Sequence, residues 1–307
     1  MSTFSIVFYR ALARLFHWVS YLPLGVLYGI SDVLYFLFYW VFRYRVSVVR
    51  QNMEAAFPEM TRSQLRQTER AFFRHLADVI VETIKLRTLS KEELKKRCRY
   101  TEQSTQLLNR LYEEGRSIVI IMAHTGNWEW AGASWPLWQK HQILTAYRPL
   151  RNPVIDQYML KTRKRTGNFL APMKILPREM LGLRKKVTAT ALIGDQNPPQ
   201  QNAFWVSFLN QQTPFFKGCE ILSQKFDYPV LWGQVKKTGR RGYYDIDIQM
   251  ITEQPRSFTR EGDLTQLHVS FLERDIREQP ENWLWSHRRW KHKLTSDLDA
   301  ETDNSGF

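Results

Sequence analysis

A histidine and a glutamate lie five positions apart at the end of an apolar run. The run covers residues 117–123, His124 follows it, and Glu129 lies in the first turn of the helix predicted next. Residues five apart are about 140° apart on one helix, so the pair cannot share a helical face. They can meet if His124 lies in the loop, where Glu129 would hold its imidazole in one tautomer. The free ring nitrogen could then remove a proton from a hydroxyl. The alternative is a core histidine capped by a helix glutamate.

Buried strands are predicted before this turn and before a second loop. A β-branched apolar run bounded by turn residues is typical of a strand covered on both faces of a largely parallel sheet. Residues 117–123 and 188–193 both fit this pattern. The second run leads into Gly194-Asp195-Gln196, and Pro198 and Pro199 exclude a helix there. Open α/β sheets place their chemistry at such strand ends.

The remaining periodicity completes a set of helices and strands. Thr61 and Gln64 form a capping box, which predicts a helix start. Pro153 is a suitable first residue for the helix after it. Further helices are predicted over residues 128–140, 154–166, 215–226 and 263–277, with strands over 143–147, 228–236 and 243–251, the last two forming a hairpin.

The chain is strongly basic and rich in aromatic residues. Its 307 residues carry 44 Lys and Arg against 30 Asp and Glu, a formal net charge of +14, which indicates an anionic partner. Aromatic residues make up 14% of the chain, as suits a membrane interface. No nucleic-acid motif, P-loop or dinucleotide fingerprint is present. Cys98 and Cys219 have neither metal-like nor redox spacing, which predicts a metal-free cytoplasmic site.

The two ends of the chain differ from its middle in composition. Residues 18–42 are mainly apolar, with Asp32 as their one charged residue, and their length is enough to span a bilayer. A helix packed on its own domain or lying in the interface remains the alternative. Arg43 and Arg45 follow and favour a cytoplasmic domain, whereas basic residues on the other side weaken that inference. We predict an anchoring segment over residues 1–45, a catalytic domain over 46–293 and an acidic, disordered tail over 294–307.

Several short segments, in this order, resemble the late lipid A (lauroyl/myristoyl) acyltransferases. His124 with Glu129 looks like the His-X4-(Asp/Glu) box of membrane-associated glycerolipid and lipid A acyltransferases, and the likeness covers about residues 15–293. The other segments are Arg50-Gln51-Asn52, Phe57-Pro58-Glu59-Met60, Tyr147-Arg148-Pro149, Asn152-Pro153, Gly194-Asp195-Gln196 and Trp285-Ser286-His287-Arg288-Arg289.

The resemblance implies an α/β fold and a reaction. The fold would be a mixed sheet flanked by helices, with an amino-terminal membrane helix and the site at strand ends that face the bilayer. The reaction would move a fatty acyl chain from acyl carrier protein to a hydroxyl of an anionic lipid A precursor. It would take place on the cytoplasmic face of the bacterial inner membrane, without a cofactor. His124 would be the base and Glu129 its orienting partner.

Seven further residues are predicted to contact substrate. Gly126 could let the backbone approach a ligand closely, although it could be only a turn glycine, and amides at the helix start that follows, from Asn127 on, suit an oxyanion or phosphate. Arg148 at a strand end suits the same anions, with a structural salt bridge as the alternative. The others are Asp195 and Gln196, for acceptor binding or loop support, and Arg288 and Arg289, for acceptor phosphates or the membrane surface, if they are not a solvated basic face.

Other functions remain open at this stage. An acyltransferase of the same type could use a lysophospholipid or an aminolipid as acceptor. A non-catalytic membrane lipid-binding protein could keep the fold, although the presence of both His124 and Glu129 argues against it. A nucleic-acid-binding protein fits the charge alone.

Overall fold

The structure, a computed structural model, describes residues 3–199 and 203–292. The acidic tail predicted over residues 294–307 lies outside them. The helices are α1 (Thr3–Val19), α2 (Leu24–Phe36), α3 (Val46–Ala56), α4 (Arg62–Lys85), α5 (Lys91–Arg97), α6 (Glu102–Glu113), α7 (Trp128–Trp138), α8 (Pro153–Arg163), α9 (Leu176–Gly182), α10 (Gly218–Phe226) and α11 (Asp263–Glu278).

The described chain contains one seven-stranded sheet and one separate hairpin. The strands are β1 (Cys98–Tyr100), β2 (Ile118–Met122), β3 (Gln142–Tyr147), β4 (Phe169–Pro172), β5 (Thr188–Ile193), β6 (Ala203–Phe208), β7 (Gln211–Phe216), β8 (Val230–Lys237) and β9 (Tyr244–Thr252). The sheet has the order β1-β9-β8-β2-β5-β3-β4 and is parallel except between β8 and β9. Helices flank this sheet, which confirms the predicted mixed α/β fold.

Strand β2 lies at the centre of the sheet, between β5 and β8. Its side chains alternate between the two layers that cover the sheet. Ile118 and Ile120 pack into one apolar cluster with Trp130, while Val119 and Ile121 pack into the other. Both faces are buried, which is why this strand has a continuous apolar sequence rather than an alternating one.

Helix α4 supports much of the fold. Thr61 and Gln64 form the predicted capping box at its start, with the Thr61 side chain bonded to the Gln64 amide and the Gln64 side chain to the Thr61 amide. Phe72 and Phe73 are almost fully buried in one apolar cluster. The helix also buries the carboxylates of Glu69, Asp78 and Glu82. Buried carboxylates need hydrogen-bond partners, and those partners connect α4 to other elements.

The predicted helix over residues 215–226 is partly wrong. Residues 215 and 216 end β7, and α10 begins only at Gly218. The turn between β6 and β7 is formed by Leu209 and Asn210, both with positive φ (48° and 62°). Such turns usually contain glycine, so a Leu-Asn turn gave no hairpin signal in the sequence. The hairpin was therefore missed, together with the short strands β1 and β4.

The apolar segment predicted over residues 18–42 is interrupted near its start. Helix α1 ends at Val19, and a second helical segment runs from Leu24 through α2 and a π-helical turn, Leu37–Val41. The 18 residues Leu24–Val41 have a mean hydropathy of 1.6, and only 17% of them are buried. They are long and apolar enough to cross a bilayer, but length and hydropathy alone do not separate a spanning helix from an interfacial one.

Candidate active site

The imidazole of His124 is bonded to Asp195 at the carboxyl edge of the sheet. Met122, the last residue of β2, is paired with Ile193, the last residue of β5. His124 and Asp195 each lie two positions beyond these strand ends. His124 Nδ1 lies 2.7 Å from Asp195 Oδ1, and the His124 backbone N–H donates to Asp195 Oδ2 at 2.9 Å. Trp283 Nε1 donates to Oδ2 as well, at 2.8 Å. The carboxylate therefore fixes both the ring and the backbone of the histidine.

The pKa values of His124 and Asp195 are shifted in the directions that a general base and its charged partner require. Burial lowers the pKa of His124, but the charge and hydrogen bond of Asp195 outweigh it, so the pKa is raised above 6.5. Burial would raise the pKa of Asp195, but the imidazole's charge and its hydrogen bonds lower it to about 2. Asp195 therefore stays ionised and stabilises the protonated ring. The His124 side chain keeps 18% of its surface exposed, so it remains accessible from the solvent side.

Glu129 has a different partner from the one we predicted. Arg163, the last residue of α8, donates to both of its carboxylate oxygens, at 2.9 and 2.6 Å. The prediction that Glu129 holds the imidazole is corrected, because Asp195 occupies that position and Glu129 faces α8. Glu129 still acts on His124 through space: its charge raises the pKa of the imidazole, whereas the charge of Arg163 lowers it.

Gly126 makes a close contact with protein backbone. Its φ is +54°, and a Cβ at this position would lie 2.6 Å from the carbonyl oxygen of Val235. The Gly126 N–H donates to the carbonyl of Asn282 at 3.1 Å. The Gly126 carbonyl oxygen lies 3.1 Å from His75 Nε2. The close approach that this glycine allows is therefore to the backbone of Val235, and its predicted close approach to a ligand stays a prediction.

Asn127 is committed to the turn that carries the histidine. Its Oδ1 accepts from the Trp130 backbone N–H at 2.9 Å, which caps α7, and its Nδ2 donates to Glu82 Oε2 at 2.6 Å. The residue is fully buried. The Asn127 side chain therefore holds the turn, and the predicted contact of amides at this helix start with an oxyanion or phosphate stays a prediction.

Glu82 is a second buried carboxylate beside the same turn. Besides Asn127, Tyr28 donates to its Oε1 at 2.9 Å and Tyr244 to its Oε2 at 2.7 Å. Burial raises the pKa of Glu82 to about 7, against these hydrogen bonds. Nothing in the sequence singled out this residue, since a glutamate in the middle of an amphipathic helix is ordinarily assigned to its polar face.

Three of the predicted contact residues keep part of their surface open to solvent. Arg148 follows β3 and is exposed at the same edge of the sheet as His124. Gln196 Nε2 lies 3.5 Å from each ring nitrogen of His124, which is longer than a good hydrogen bond. Arg288 is exposed, and its carbonyl accepts from Asn197 at 2.9 Å. These side chains can meet a ligand without any rearrangement of buried groups.

Arg289 is a structural residue. Its side chain is fully buried, donates to Asn197 Oδ1 at 2.7 Å and to the Pro214 carbonyl at 2.6 Å, and stacks over the Phe215 ring. The predicted contact of Arg289 with acceptor phosphates or a membrane is corrected, because the guanidinium does not reach the surface. It connects the loop after β5 to the hairpin.

Apolar side chains lie beside His124 and along the same edge of the sheet. The Trp128 ring meets the His124 ring edge to face, with 5.0 Å between centroids. Ile193, at the end of β5, is 36% exposed, and Met173 is 45% exposed just beyond β4. Strands β5, β3 and β4 are neighbours, so these residues lie along one edge of the sheet with the histidine. The arrangement can place a long apolar group beside a base.

Comparison with known proteins gives a consistent result over nearly the whole chain. A family model described as "Bacterial lipid A biosynthesis acyltransferase" matches residues 5–292. The lipid A biosynthesis palmitoleoyltransferase of Escherichia coli (strain K12) is 24% identical over 250 residues, 80% of this chain and 79% of that protein. A lipid A biosynthesis acyltransferase of Shigella flexneri has the same identity and coverage. The lipid A biosynthesis lauroyltransferase of E. coli is 21% identical over 298 residues, 92% of this chain and 95% of that protein.

Proposed function

The chain belongs to the bacterial lipid A biosynthesis acyltransferase family, and from that premise we propose a specific reaction. The protein transfers a fatty acyl chain from acyl carrier protein to a hydroxyl of a lipid A precursor. It does so at the cytoplasmic face of the inner membrane. The observation that carries this proposal is the His124–Asp195 pair, which leaves Nε2 as the ring nitrogen that can accept a proton.

In the proposed mechanism, His124 is the general base. Its Nε2 removes the proton from the acceptor hydroxyl as that oxygen attacks the thioester carbonyl. Asp195, bonded at Nδ1, stabilises the imidazolium that forms. The tetrahedral intermediate then collapses with cleavage of the carbon–sulfur bond, and the imidazolium returns the proton to the departing thiolate. The products are the ester and the free thiol of the carrier.

Arg148 is the residue we propose for stabilising negative charge in this reaction. It is exposed at the carboxyl end of β3, two strands from β2, and its guanidinium has no hydrogen bond or ion pair with residues 3–199 or 203–292. A guanidinium can bind the oxyanion or a phosphate of the acceptor through two parallel hydrogen bonds. Gln196, in the loop after β5, and Arg288, bonded to that loop through Asn197, are proposed to contact the acceptor as well.

The remaining substrate groups fit the surroundings of the site. We propose that the acyl chain lies along the apolar edge that includes Trp128, Ile193 and Met173. A net charge of +14 favours association with an acidic carrier protein, so raising the salt concentration should raise KM for the carrier-linked donor. The free cysteines Cys98 and Cys219 are consistent with a cytoplasmic domain.

The direct test is acyl transfer by the purified protein in detergent, with a labelled acyl carrier donor and a phosphorylated lipid A precursor. We expect transfer by the wild type and a loss of about 10²- to 10⁴-fold in kcat for His124→Ala. The side chain is partly exposed, so the thermal midpoint should stay near that of the wild type, which separates lost chemistry from lost folding.

Parallel reactions identify the donor and the acceptor. Acyl-coenzyme A replaces the carrier in one, and a lysophospholipid replaces the lipid A precursor in another. If the lysophospholipid were acylated as fast as the lipid A precursor, the proposed acceptor would be rejected. If acyl-coenzyme A were used as fast as the acyl carrier protein, the proposed donor would be rejected. Full activity of His124→Ala would reject the mechanism itself.

A further inference from the structure

The apolar helical segment Leu24–Val41 has two faces of opposite character. One face carries a heptad-spaced row of exposed apolar side chains: Val26, Val33 and Trp40 are 50%, 58% and 53% exposed. A spacing of seven residues keeps such side chains on one side of a helix. The opposite face is buried against α4, where Leu27 has no exposed surface. The segment is therefore half exposed along its whole length rather than surrounded by protein or fully free.

The buried face is attached to α4 by polar bonds at both ends and in the middle. Tyr28 donates to Glu82 at 2.9 Å, Ser31 to Asp78 at 2.6 Å, and Tyr39 to Glu69 at 2.9 Å. The pairs run in opposite chain directions, so the segment lies antiparallel and alongside α4. Separating the segment from α4 would leave three buried carboxylates without these hydrogen-bond donors. Each unsatisfied buried carboxylate would cost free energy.

The place for Tyr28 exists because residue 242 is glycine. Gly242 has a φ of +73°, and a Cβ on it would overlap the Tyr28 hydroxyl. Arg241, the preceding residue, extends its guanidinium over the Tyr28 ring, 4.6 Å from the centroid, and pairs with Asp32 and Asp78. The turn between β8 and β9 and helix α4 therefore both hold the apolar segment in place.

An exposed row of arginines runs beside the apolar row. Arg62, Arg66, Arg70 and Arg74 recur at four-residue intervals on α4, and all are exposed. The Arg70 guanidinium lies over the Trp40 ring at 5.7 Å, and that of Arg74 over the Tyr35 ring at 5.1 Å. We call the apolar row together with these arginines the docking face.

This arrangement is incompatible with a spanning helix. Because α4 runs alongside the apolar segment, upright insertion would carry Arg70 and Arg74 into hydrocarbon, where charged side chains are strongly disfavoured. It would also carry Phe72 and Phe73 and the sheet on which they pack. A helix that lies flat avoids both, since its apolar row enters the lipid while the arginines stay at the head groups.

We propose that Leu24–Val41 does not cross the membrane but lies in its surface, and that the docking face binds an anionic phospholipid bilayer. We choose an anionic bilayer as the ligand of the docking face because the positive charge of the arginine row complements anionic head groups. The carboxyl end of the segment adjoins the active-site rim, because Arg45 donates to the Ser286 carbonyl at 2.8 Å and Asn52 donates to the carbonyls of Trp285 and His287. Lipid-bound substrate would thus reach the site along the membrane surface. This inference rests on the membrane location proposed above, but its test needs no acyl transfer.

The test is the depth of three fluorophores in a bilayer. Single-cysteine variants Val26→Cys, Val33→Cys and Trp40→Cys of the full chain are labelled with an environment-sensitive dye and added to vesicles containing phosphatidylglycerol. Quenching by lipids spin-labelled at shallow and deep positions gives each depth. The parent protein measures background labelling, which should be low because Cys98 and Cys219 are buried. Glu113→Cys, with a 69% exposed side chain on α6, is the control site off the membrane.

The inference predicts one shallow depth for all three labels and no quenching at residue 113. The outer two sites are 14 residues apart, or about 21 Å along a helix, so a spanning helix would place one label near the bilayer centre and the others near its surfaces. Three different depths would overturn the inference while leaving the membrane location intact. Absence of binding to any vesicle, or self-association in place of binding, would overturn both, whatever the outcome of the acyl transfer assay.

A second measurement tests the arginine row. Arg70→Gln with Arg74→Gln should weaken binding to phosphatidylglycerol vesicles by about fivefold for each arginine and have little effect on uncharged phosphatidylcholine vesicles. The matched control, Arg184→Gln with Lys185→Gln, removes the same charge from exposed positions before β5, at the other end of the sheet. Equal losses in both double variants would show that net charge alone matters and would overturn the assignment of the docking face.

Discussion

Two buried carboxylates flank the turn that carries His124, and their charge states differ. Asp195 faces the imidazole and has its pKa lowered to about 2, whereas Glu82 binds Asn127 at the other end of the turn and has its pKa raised to about 7. Both residues are almost completely removed from solvent. The difference comes from their partners: Asp195 faces a group that can become positive, while Glu82 receives hydrogen bonds from neutral side chains of three elements.

In the proposed mechanism, Asp195 supports the chemistry, whereas Glu82 supports the structure. An ionised carboxylate beside an imidazole stabilises the charge that forms when the base accepts a proton. A carboxylate surrounded by neutral donors anchors the turn, α2 and β9 to α4, and its proton is of no use to the reaction. Substitutions that keep shape and remove charge should therefore have different consequences at the two positions.

The largest effect is expected from Asp195→Asn. We predict a loss of about 10²- to 10⁴-fold in kcat, because the amide cannot stabilise the imidazolium and can favour the wrong tautomer. The measurement is steady-state acyl transfer, with the thermal midpoint as the control for folding. An activity within tenfold of the wild type would remove Asp195 from the mechanism.

A smaller effect is expected from Glu129→Gln. Its carboxylate pairs with Arg163 and reaches the imidazole only through space, so we predict a loss of about tenfold in kcat. The matched variant Arg163→Gln removes the other half of the ion pair. If Glu129→Gln lost more activity than Asp195→Asn, the imidazole would be held by Glu129 in the working enzyme, as the sequence suggested.

Arg148→Lys tests the exposed guanidinium at the end of β3. A lysine keeps the charge but cannot bind an anion through two parallel hydrogen bonds, so we expect a loss of a few fold to about tenfold in kcat/KM. Arg148→Gln should be worse than the lysine variant. Unchanged kinetics in both would show that Arg148 does not bind the reacting groups.

The smallest effect on rate, within about twofold, is expected from Glu82→Gln, which should instead change how stability depends on pH. Because the folded pKa of about 7 exceeds the unfolded value of 4.5, the group's contribution is fully present below pH 4.5 and is lost as pH rises towards 7. The wild type should therefore lose about 3 kcal/mol between these limits from this group, and the glutamine variant should not. Urea unfolding at pH 5 and pH 8 measures the difference. An unchanged pH dependence in the variant would show that Glu82 is ionised throughout.

The sequence predicted the strands of the site but not which residues would meet. The apolar runs that became β2 and β5 were recognised, and so were the loops after them. Pairing His124 with Asp195 required the knowledge that these two strands are neighbours in the sheet, 71 positions apart in the chain. Local periodicity carries no information about strand order, so the nearer acid, Glu129, was chosen.

Burial was the other property that the sequence could not supply. Arg289 and Asn127 have polar side chains in segments that contain other candidate contacts, yet both are buried and bonded within the protein. Glu82 is the opposite case, because its position in α4 gave no reason to select it. In each instance tertiary partners, and not residue type, determine whether the side chain is available to a substrate.

The pH dependence of kcat/KM for acyl transfer tests the central claim most directly. Neutral His124 is the base in our account, so the rate should rise as pH increases through its pKa, which lies above 6.5 in the wild type. Without the carboxylate of Asp195 the imidazolium is less stable, so Asp195→Asn should move this limb to lower pH as well as reduce the plateau. Glu129→Gln should move it less. An acid limb that stays in place in Asp195→Asn, or that moves further in Glu129→Gln, would contradict the assignment of Asp195 as the partner of the catalytic base.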